Sequence, residues 1–294
     1  MRGIDVMSIN KYKVFVKVVE LGSLTKAAEV MGFTQSGVSH MINSLEDEFN
    51  ITLLNRSRSG VSLTSNGEKI LKTIREILRW NEHLEQEVAA IHGLEIGTIR
   101  IGTFTSVSVH WLPGIIQDFQ RDYPHIEIDL VEGDYRDIEE WLSEGKIDCG
   151  FLSLPTWDTF DIIPLHRDQM LVLLPMDHAL SKESTVSLSQ LEDESFIMLS
   201  KGSDDDVNRV LEHASFKPKI KYTVGDDYAI MAMVERGLGI SILPGLVLGG
   251  QQRNIRLVEL EEPFYRSLGI AVSSKEELSP AAKRFITYVQ NYLK

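Results

Sequence analysis

The chain has 294 residues, enough for about two domains or three. Hydrophobic residues make up 43% and charged residues 25%, which excludes a disordered chain or a collagen-like fibre, and a single cysteine, Cys149, excludes a disulfide framework. The formal charge of −13, taken alone, stands against nucleic acid as a partner, since affinity for phosphate rests largely on Lys and Arg.

Residues 1–10 lack the apolar core of a signal peptide, and the apolar run 237–250 is short and broken by Pro244. The expectation is a cytoplasmic protein with no membrane partner. Val14, Phe15, Val18 and Val19 at helical spacing predict a first helix over 9–21, stopped by Gly22. Ser23 caps a short second helix, in which Ala27 and Ala28 admit the close approach of a neighbour. Gly32 and Phe33 make a turn, and Thr34 caps a third helix running to about Phe49. Val38, Ile42, Leu45 and Phe49 fall on one stripe of it, and Gln35, Ser36, Ser39, His40 and Asn43 on the other. Spacing alone fits a small helical bundle with a solvated face equally well. The residue types favour DNA instead. A solvated face is usually Glu and Lys, which are good helix formers. Gln and Asn pair bidentately with adenine, and Ser and His reach bases or phosphates. Residues 53–64, with Arg56, Arg58 and Gly60, read as a hairpin laid against the phosphate backbone.

The run 22–67 resembles the winged helix-turn-helix of the LysR-type transcriptional regulators. The resemblance is carried, without gaps, by Ser23-Leu24-Thr25-Lys26-Ala27-Ala28, Thr34-Gln35-Ser36-Gly37-Val38-Ser39, Leu45-Glu46, Arg56 and Leu63-Thr64-Ser65-Asn66-Gly67. It implies a winged DNA-binding head over 1–65, with the helix-turn-helix at about 25–44. Thr25, Gln35, Ser36, Ser39, His40, Asn43, Arg56 and Arg58 are then the residues expected on DNA. The family often has basic residues where this chain has His40 and Asn43, and an aromatic where it has Leu54. Fewer helix cations imply weaker phosphate binding or a different operator preference.

Residues 66–92 contain no proline, and no glycine after Gly67. Ile70, Ile74, Ile77, Leu84, Val88 and Ile91 follow at steps of 4, 3, 7, 4 and 3, with Asn81 in the gap of 7. That is a heptad seam with one polar residue in it, and it predicts a linker and dimerisation helix whose buried Asn81 sets register. A surface helix packed on its own domain is the competing reading. In an antiparallel pair, which the resemblance implies, the two copies of Asn81 meet near the two-fold axis. Leu71, Leu78 and Trp80 widen the stripe, so this helix is also expected to pack on the winged head. A homodimer holding two heads at fixed spacing suits a roughly palindromic stretch of double-stranded DNA.

Beyond Gly93, strand-like runs at 98–103, 126–131 and 147–152 alternate with helical runs at 107–123 and 135–144. The pattern predicts an α/β fold, a parallel sheet covered by helices. The order then repeats, with strands at 169–174, 195–199, 220–224 and 240–243 and helices at 204–213 and 228–236. Pro124-His125-Ile126 matches Pro218-Lys219-Ile220 at an offset of 94, and Gly133-Asp134-Tyr135 resembles Asp226-Asp227-Tyr228. Two similar lobes follow: lobe I over 93–165 and 269–294, lobe II over 166–268. The chain crosses near 164–168 and returns near 266–272, which puts a last helix, 280–293, on lobe I. The region 93–294 resembles the bilobal, periplasmic-binding-protein-like type 2 effector domain of the same family, so the resemblance covers nearly the whole chain.

Ligands of such sheets bind at the strand carboxyl ends. The loops there offer Thr103, Thr105 and Ser106 at a helix N-terminus, where free N–H groups favour an anion. They also offer Asp134, Tyr135, Ser200, Lys201, Ser203, Asp226 and Tyr228. By position Ser106 matches the family's effector-binding hydroxyl. A plain N-cap is the alternative for it, as it is for Asp134 and Asp227. Glu132, Asp134, Asp204, Asp205, Asp206, Asp226 and Asp227 crowd this cleft, and Lys201 is the one cation the reading places near it. Many family effectors are carboxylates. The acidic rim favours a small-molecule effector that carries an amine, or a neutral polar one.

No His or Cys pair has metal-ligand spacing, Gly237-Leu238-Gly239 lacks the rest of a nucleotide loop, and there is no nucleophile elbow. No cofactor, metal or catalytic residue is expected. Three readings remain: a ligand-responsive regulator that is not an enzyme, an enzyme built on the bilobal domain, and a solute-binding protein. The resemblance implies the first, as a homodimer or homotetramer with RNA polymerase as a further partner. Charge is uneven along the chain. Residues 1–80 hold 11 bases and 8 acids and residues 81–294 hold 19 and 35, so the head is +3 and the remainder −16.

Overall fold

The computed structural model describes residues 9–57, 60–156, 160–200, 205–250 and 253–294. The chain divides into two compact units, 1–94 with 144–146, and 95–143 with 147–294.

The first unit is built from local signals. Helices α1 (Ile9–Leu21), α2 (Leu24–Met31) and α3 (Gln35–Phe49) precede a hairpin, β1 (Leu54–Ser57) and β2 (Gly60–Leu63), and a long helix, α4 (Ser65–Ile91). Each boundary has a cause in the sequence. Ser23 Oγ accepts the Lys26 N–H, and Thr34 and Thr64 cap α3 and α4 by accepting the Gly37 and Gly67 N–H groups at 3.1 and 3.0 Å. Gly32 closes α2 in the left-handed region at φ +70°. The apolar stripes of α1 and α3 meet in a core of Phe15, Val18, Val38, Ile42 and Leu45, joined by Leu53 from the hairpin and Ile74 from α4. Gly67 is obligatory for close packing, because a Cβ there would run into the Leu53 carbonyl.

That core revises the heptad reading. Ile74 is 1% exposed, Ile70 is half-buried, and both pack on the head together with Leu71 and Leu78. Ile74 was expected on a partner's helix, but the head of its own chain covers it. Ile77 at 38%, Leu84 at 60% and Ile91 at 82% are exposed, as are Val88 and Trp80. Asn81 Nδ2 donates to Glu85 Oε1 one turn on, at 2.8 Å.

The second unit is an α/β body. In chain order it comprises β3 (Gly97–Thr103), α5 (Thr105–His110), α6 (Leu112–Asp122), β4 (Ile126–Glu132), α7 (Tyr135–Ser143), β5 (Cys149–Leu154), β6 (Asp161–Pro175), β7 (Thr185–Val186), β8 (Ser195–Leu199), α8 (Asp205–Leu211), β9 (Lys219–Val224), α9 (Asp227–Glu235), β10 (Ser241–Pro244), α10 (Gly245–Leu248), β11 (Ile255–Leu260), β12 (Tyr265–Val272) and α11 (Pro280–Tyr292). In one lobe β3 pairs in parallel with β4 and β5, and β12 runs antiparallel beside β5. In the other, β8 pairs in parallel with β9, Phe196 bridges to Ile240 just before β10, and β10 runs antiparallel to β6. The strand order β4-β3-β5-β12 thus recurs as β9-β8-β10-β6. The last helix packs Phe285, Ile286 and Val289 into the first lobe's core.

Three elements depart from the sequence reading. The helix expected over 107–123 is two helices that break at Trp111, because Pro113 in the first turn of α6 lacks an N–H and disfavours helix before it. The strand expected at 169–174 is the far end of β6, a continuous 15-residue strand. Its first part pairs with β12 and its last part with β10 and β11. Strand β11, which completes the second lobe's sheet, was not anticipated. Among the described residues, no helix is long and apolar enough to cross a membrane.

Candidate functional site

Two surfaces carry the residues singled out in the sequence. On the first unit, Thr25, Gln35, Ser36, His40 and Asn43 are exposed and Ser39 is half-buried. The capping bond of Thr34 fixes the start of α3, and with it the direction in which Gln35 and Ser36 leave the helix. Arg56, on β1, is folded back onto α3. Its Nη2 donates to Asn43 Oδ1 at 2.6 Å and to Glu46 Oε2 at 3.1 Å, and Nη1 reaches Ser39 Oγ at 3.4 Å. Glu46 Oε1 accepts the N–H groups of Leu53 and Leu54 at 2.6 and 3.0 Å. One carboxylate therefore pins both the entry to the hairpin and the arginine expected on phosphate. Arg58 lies outside the described residues.

On the second unit a cavity of about 330 Å³ opens at the strand ends. Of the expected effector residues, Thr105, Ser106, Asp134, Tyr135 and Asp226 line it. The rest do not, or lie outside the described residues. Thr103 is 1% exposed and turned inward, its Oγ1 3.2 Å from Ser108 Oγ. Ser200 is exposed off the lining, and Tyr228 packs against the second lobe's core. Lys201 and Ser203 lie outside the described residues.

The cavity floor is a buried polar cluster that the sequence reading missed. Arg266 is 5% exposed. It lies opposite Asp168 in the β12–β6 ladder and bonds its Oδ2 through Nε and Nη2 at 2.9 and 2.8 Å. The same guanidinium donates to Tyr135 Oη at 3.1 Å and to Ser106 Oγ at 2.8 Å, and lies 3.8 Å from Asp206. Tyr135 Oη donates a hydrogen bond to Asp206 Oδ2 at 2.9 Å, and Ser153 donates to the other Asp206 oxygen at 2.6 Å. Burial works against the charge on Arg266, but Tyr135, Asp168 and Asp206 outweigh it and hold the guanidinium more firmly protonated than usual. Burial pushes the Tyr135 hydroxyl far up, so it stays a donor. Ser106 is therefore not an N-cap, since Phe104 occupies that place, and its hydroxyl oxygen is already engaged by Arg266. The sequence reading placed only Lys201, outside the described residues, near the cleft as a cation; Arg266, on the returning strand β12, is the cation it missed.

The rim is acidic. Asp134 caps α7 by accepting the Asp137 N–H, while Asp137 accepts the Asp134 N–H. Asp226 caps α9 by accepting from the Tyr228 and Ala229 N–H groups at 2.6 and 3.2 Å. The alternative role of plain N-cap thus holds for Asp134; in α9 the cap is Asp226, and Asp227, expected there, is the first residue of the helix. Glu132 accepts from Thr105 at 3.1 Å. Asp227 lines the cavity with no hydrogen-bond or ion-pair partner among the described residues, and burial pushes its carboxyl up to about 6 against a smaller pull from Arg266. Cys149 is a fully buried strand residue whose thiol burial raises well above its ordinary range. Among the described residues no group of His, Cys, Asp and Glu side chains forms a metal site.

Comparison with known proteins bears on both surfaces. Residues 9–68 match the family of bacterial regulatory helix-turn-helix proteins of the lysR type, and residues 92–294 match the LysR substrate binding domain. The uncharacterized HTH-type transcriptional regulator YvbU of Bacillus subtilis (strain 168) is 38% identical over 283 residues, covering 95% of this chain and 97% of that one. A full-length OxyR variant from Pseudomonas aeruginosa has the same fold, with TM-score 0.80, 22% identity and coverage of 98% and 97%. Full-length CbnR, solved in complex with its target DNA, has TM-score 0.67, 22% identity and coverage of 97% and 99%.

Proposed function

Since the chain belongs to the LysR family of transcriptional regulators, with a helix-turn-helix DNA-binding head and an effector-binding domain, we propose that it reads a roughly palindromic operator as a homodimer that assembles into a homotetramer. The occupant of the 330 Å³ cavity governs that binding. The observation that carries this reading is the exposed row of Gln35, Ser36, His40 and Asn43 on a capped helix beside a hairpin. Gln and Asn at such positions read adenine edges, and the hairpin borders the backbone. The paired chain is attributed to the exposed half of α4, from Ile77 to Ile91.

The chain is read as a binding protein that catalyses nothing. Ser106, Tyr135 and Ser153 are all tied to Arg266 or Asp206 in one buried hydrogen-bond cluster, and none of them bonds a histidine or lysine among the described residues, as an activated nucleophile would. DNA, a small-molecule effector and, when transcription is engaged, RNA polymerase are the partners this function requires.

A gel-shift titration on the DNA flanking its own gene tests the proposal. Gln35→Ala relaxes base preference at one position in each half-site, at about 1–3 kcal/mol of discrimination. Arg56→Ala weakens all sequences alike. It lowers the salt slope by about 1 if Arg56 leaves Glu46 for phosphate on binding. Unchanged binding in both variants overturns the assignment of the DNA face.

A further inference from the structure

Much of what would receive an anionic ligand in this cavity is already engaged by the chain itself. The Asp137 N–H in the first turn of α7 and the Tyr228 and Ala229 N–H groups of α9 are taken by the chain's own Asp134 and Asp226, and the Asp134 N–H by Asp137. At the start of the short helix α5, Thr105 already donates to Glu132. Arg266, the only cation among the described lining residues, directs its donors to Asp168, Tyr135 and Ser106, with Asp206 beside it. A carboxylate entering here would meet a guanidinium whose hydrogen bonds already go to Asp168, Tyr135 and Ser106, and would face carboxylates on both lobes, a repulsion that a half-buried site screens poorly.

What the cavity does offer is acceptors. Asp227 lacks a partner among the described residues. Glu132 and Asp226 each use one oxygen in a protein bond and keep another. Leu199, Pro244 and Val247 add an apolar wall. At about 330 Å³ the space suits a small molecule.

We infer that the effector of this cavity is a small organic ammonium compound, its charge facing Asp227 and its hydrocarbon part lying against Leu199, Pro244 and Val247. This rests on the proposed reading of the cavity as the effector site, and names the class of molecule that site takes. Asp227 is the counter-charge. Glu132 and Asp226 add further acceptors, and the Arg266 cluster, bonded within itself, serves as the floor of the site.

Three four-carbon probes differing only in their ends separate the possibilities: 1,4-diaminobutane, succinate and 1,4-butanediol. Each is titrated into the full-length protein at pH 7.5 and followed by thermal shift and calorimetry, with a gel shift on the upstream DNA alongside. The expected result is saturable stabilisation by the diamine and none by succinate, with Asp227→Asn weakening the diamine about tenfold or more. Asp226→Ser, which removes charge but keeps a capping oxygen, weakens it less and serves as the folded control. The inference is overturned if succinate stabilises and the diamine does not, if the diol matches the diamine, if Asp227→Asn leaves the diamine unaffected, or if no probe stabilises. Failure to bind DNA, with the diamine effect intact, instead overturns the regulator reading and leaves the ligand class standing.

Discussion

Asp227 and Arg266 show the two ways this fold treats a buried charge. Arg266 is surrounded by groups that need it, and removing it would leave Asp168 buried without its cation and Asp206 with Arg209 alone. Asp227 has no such company, and its carboxyl sits near 6 instead of the ordinary 3.8. The folded chain therefore holds a proton there more tightly than the unfolded chain does. Stability falls as pH rises from about 3.8 to about 6 and stays low above that. Asp227→Asn mimics the protonated side chain. It should stabilise the ligand-free protein by about 1–2 kcal/mol at pH 7.5, after allowing for solvent screening, and add nothing near pH 3.8. Urea unfolding at the two pH values measures this, and an equal gain at both would refute it. The same substitution that weakens an ammonium ligand should thus strengthen the empty protein.

At the scale of elements, α4 has two halves with different duties. Its first half belongs to the head's core, and its second half exposes Ile77, Leu84, Val88 and Ile91. Ile74→Ala should cost the head about 2–5 kcal/mol and leave self-association alone. Leu84→Glu should change unfolding by less than about 0.5 kcal/mol yet weaken self-association in sedimentation equilibrium. A reversal of the two effects would return Ile74 to the seam. The contrast also marks what sequence makes legible. Caps such as Ser23 and Thr34, and stripes such as Val38, Ile42 and Leu45, are local and were readable. Heptad spacing identified the helix but not which chain covers each position, because two apolar surfaces compete for one stripe. The cavity's acids were readable from the loops that follow strands. Its floor was not, since Arg266 and Asp168 are 98 residues apart and meet only through a ladder between two strands that a local pattern cannot register.

For the whole molecule, the division of charge into +3 and −16 shapes behaviour on DNA. A weakly basic head attached to a strongly acidic remainder is repelled by phosphate everywhere except at the residues that contact it. Non-specific affinity should therefore be low at any salt concentration. Anisotropy on a scrambled duplex at 50 and 200 mM salt should show a far smaller signal than the operator at the higher concentration. Equal retention of both duplexes would contradict this.

The lobes are joined through β6, a strand that runs from one sheet into the other, and β12 beside its first part, with Asp168 and Arg266 as a rung between them. A pair of extended strands resists stretching and sliding but yields to twist, so the joint acts as a torsion bar. Tyr135 and Ser153 of the first lobe both hold Asp206 of the second, so their contacts follow that twist. A molecule that alters the pull on Asp206 from within the cavity would be turning that bar by its rung.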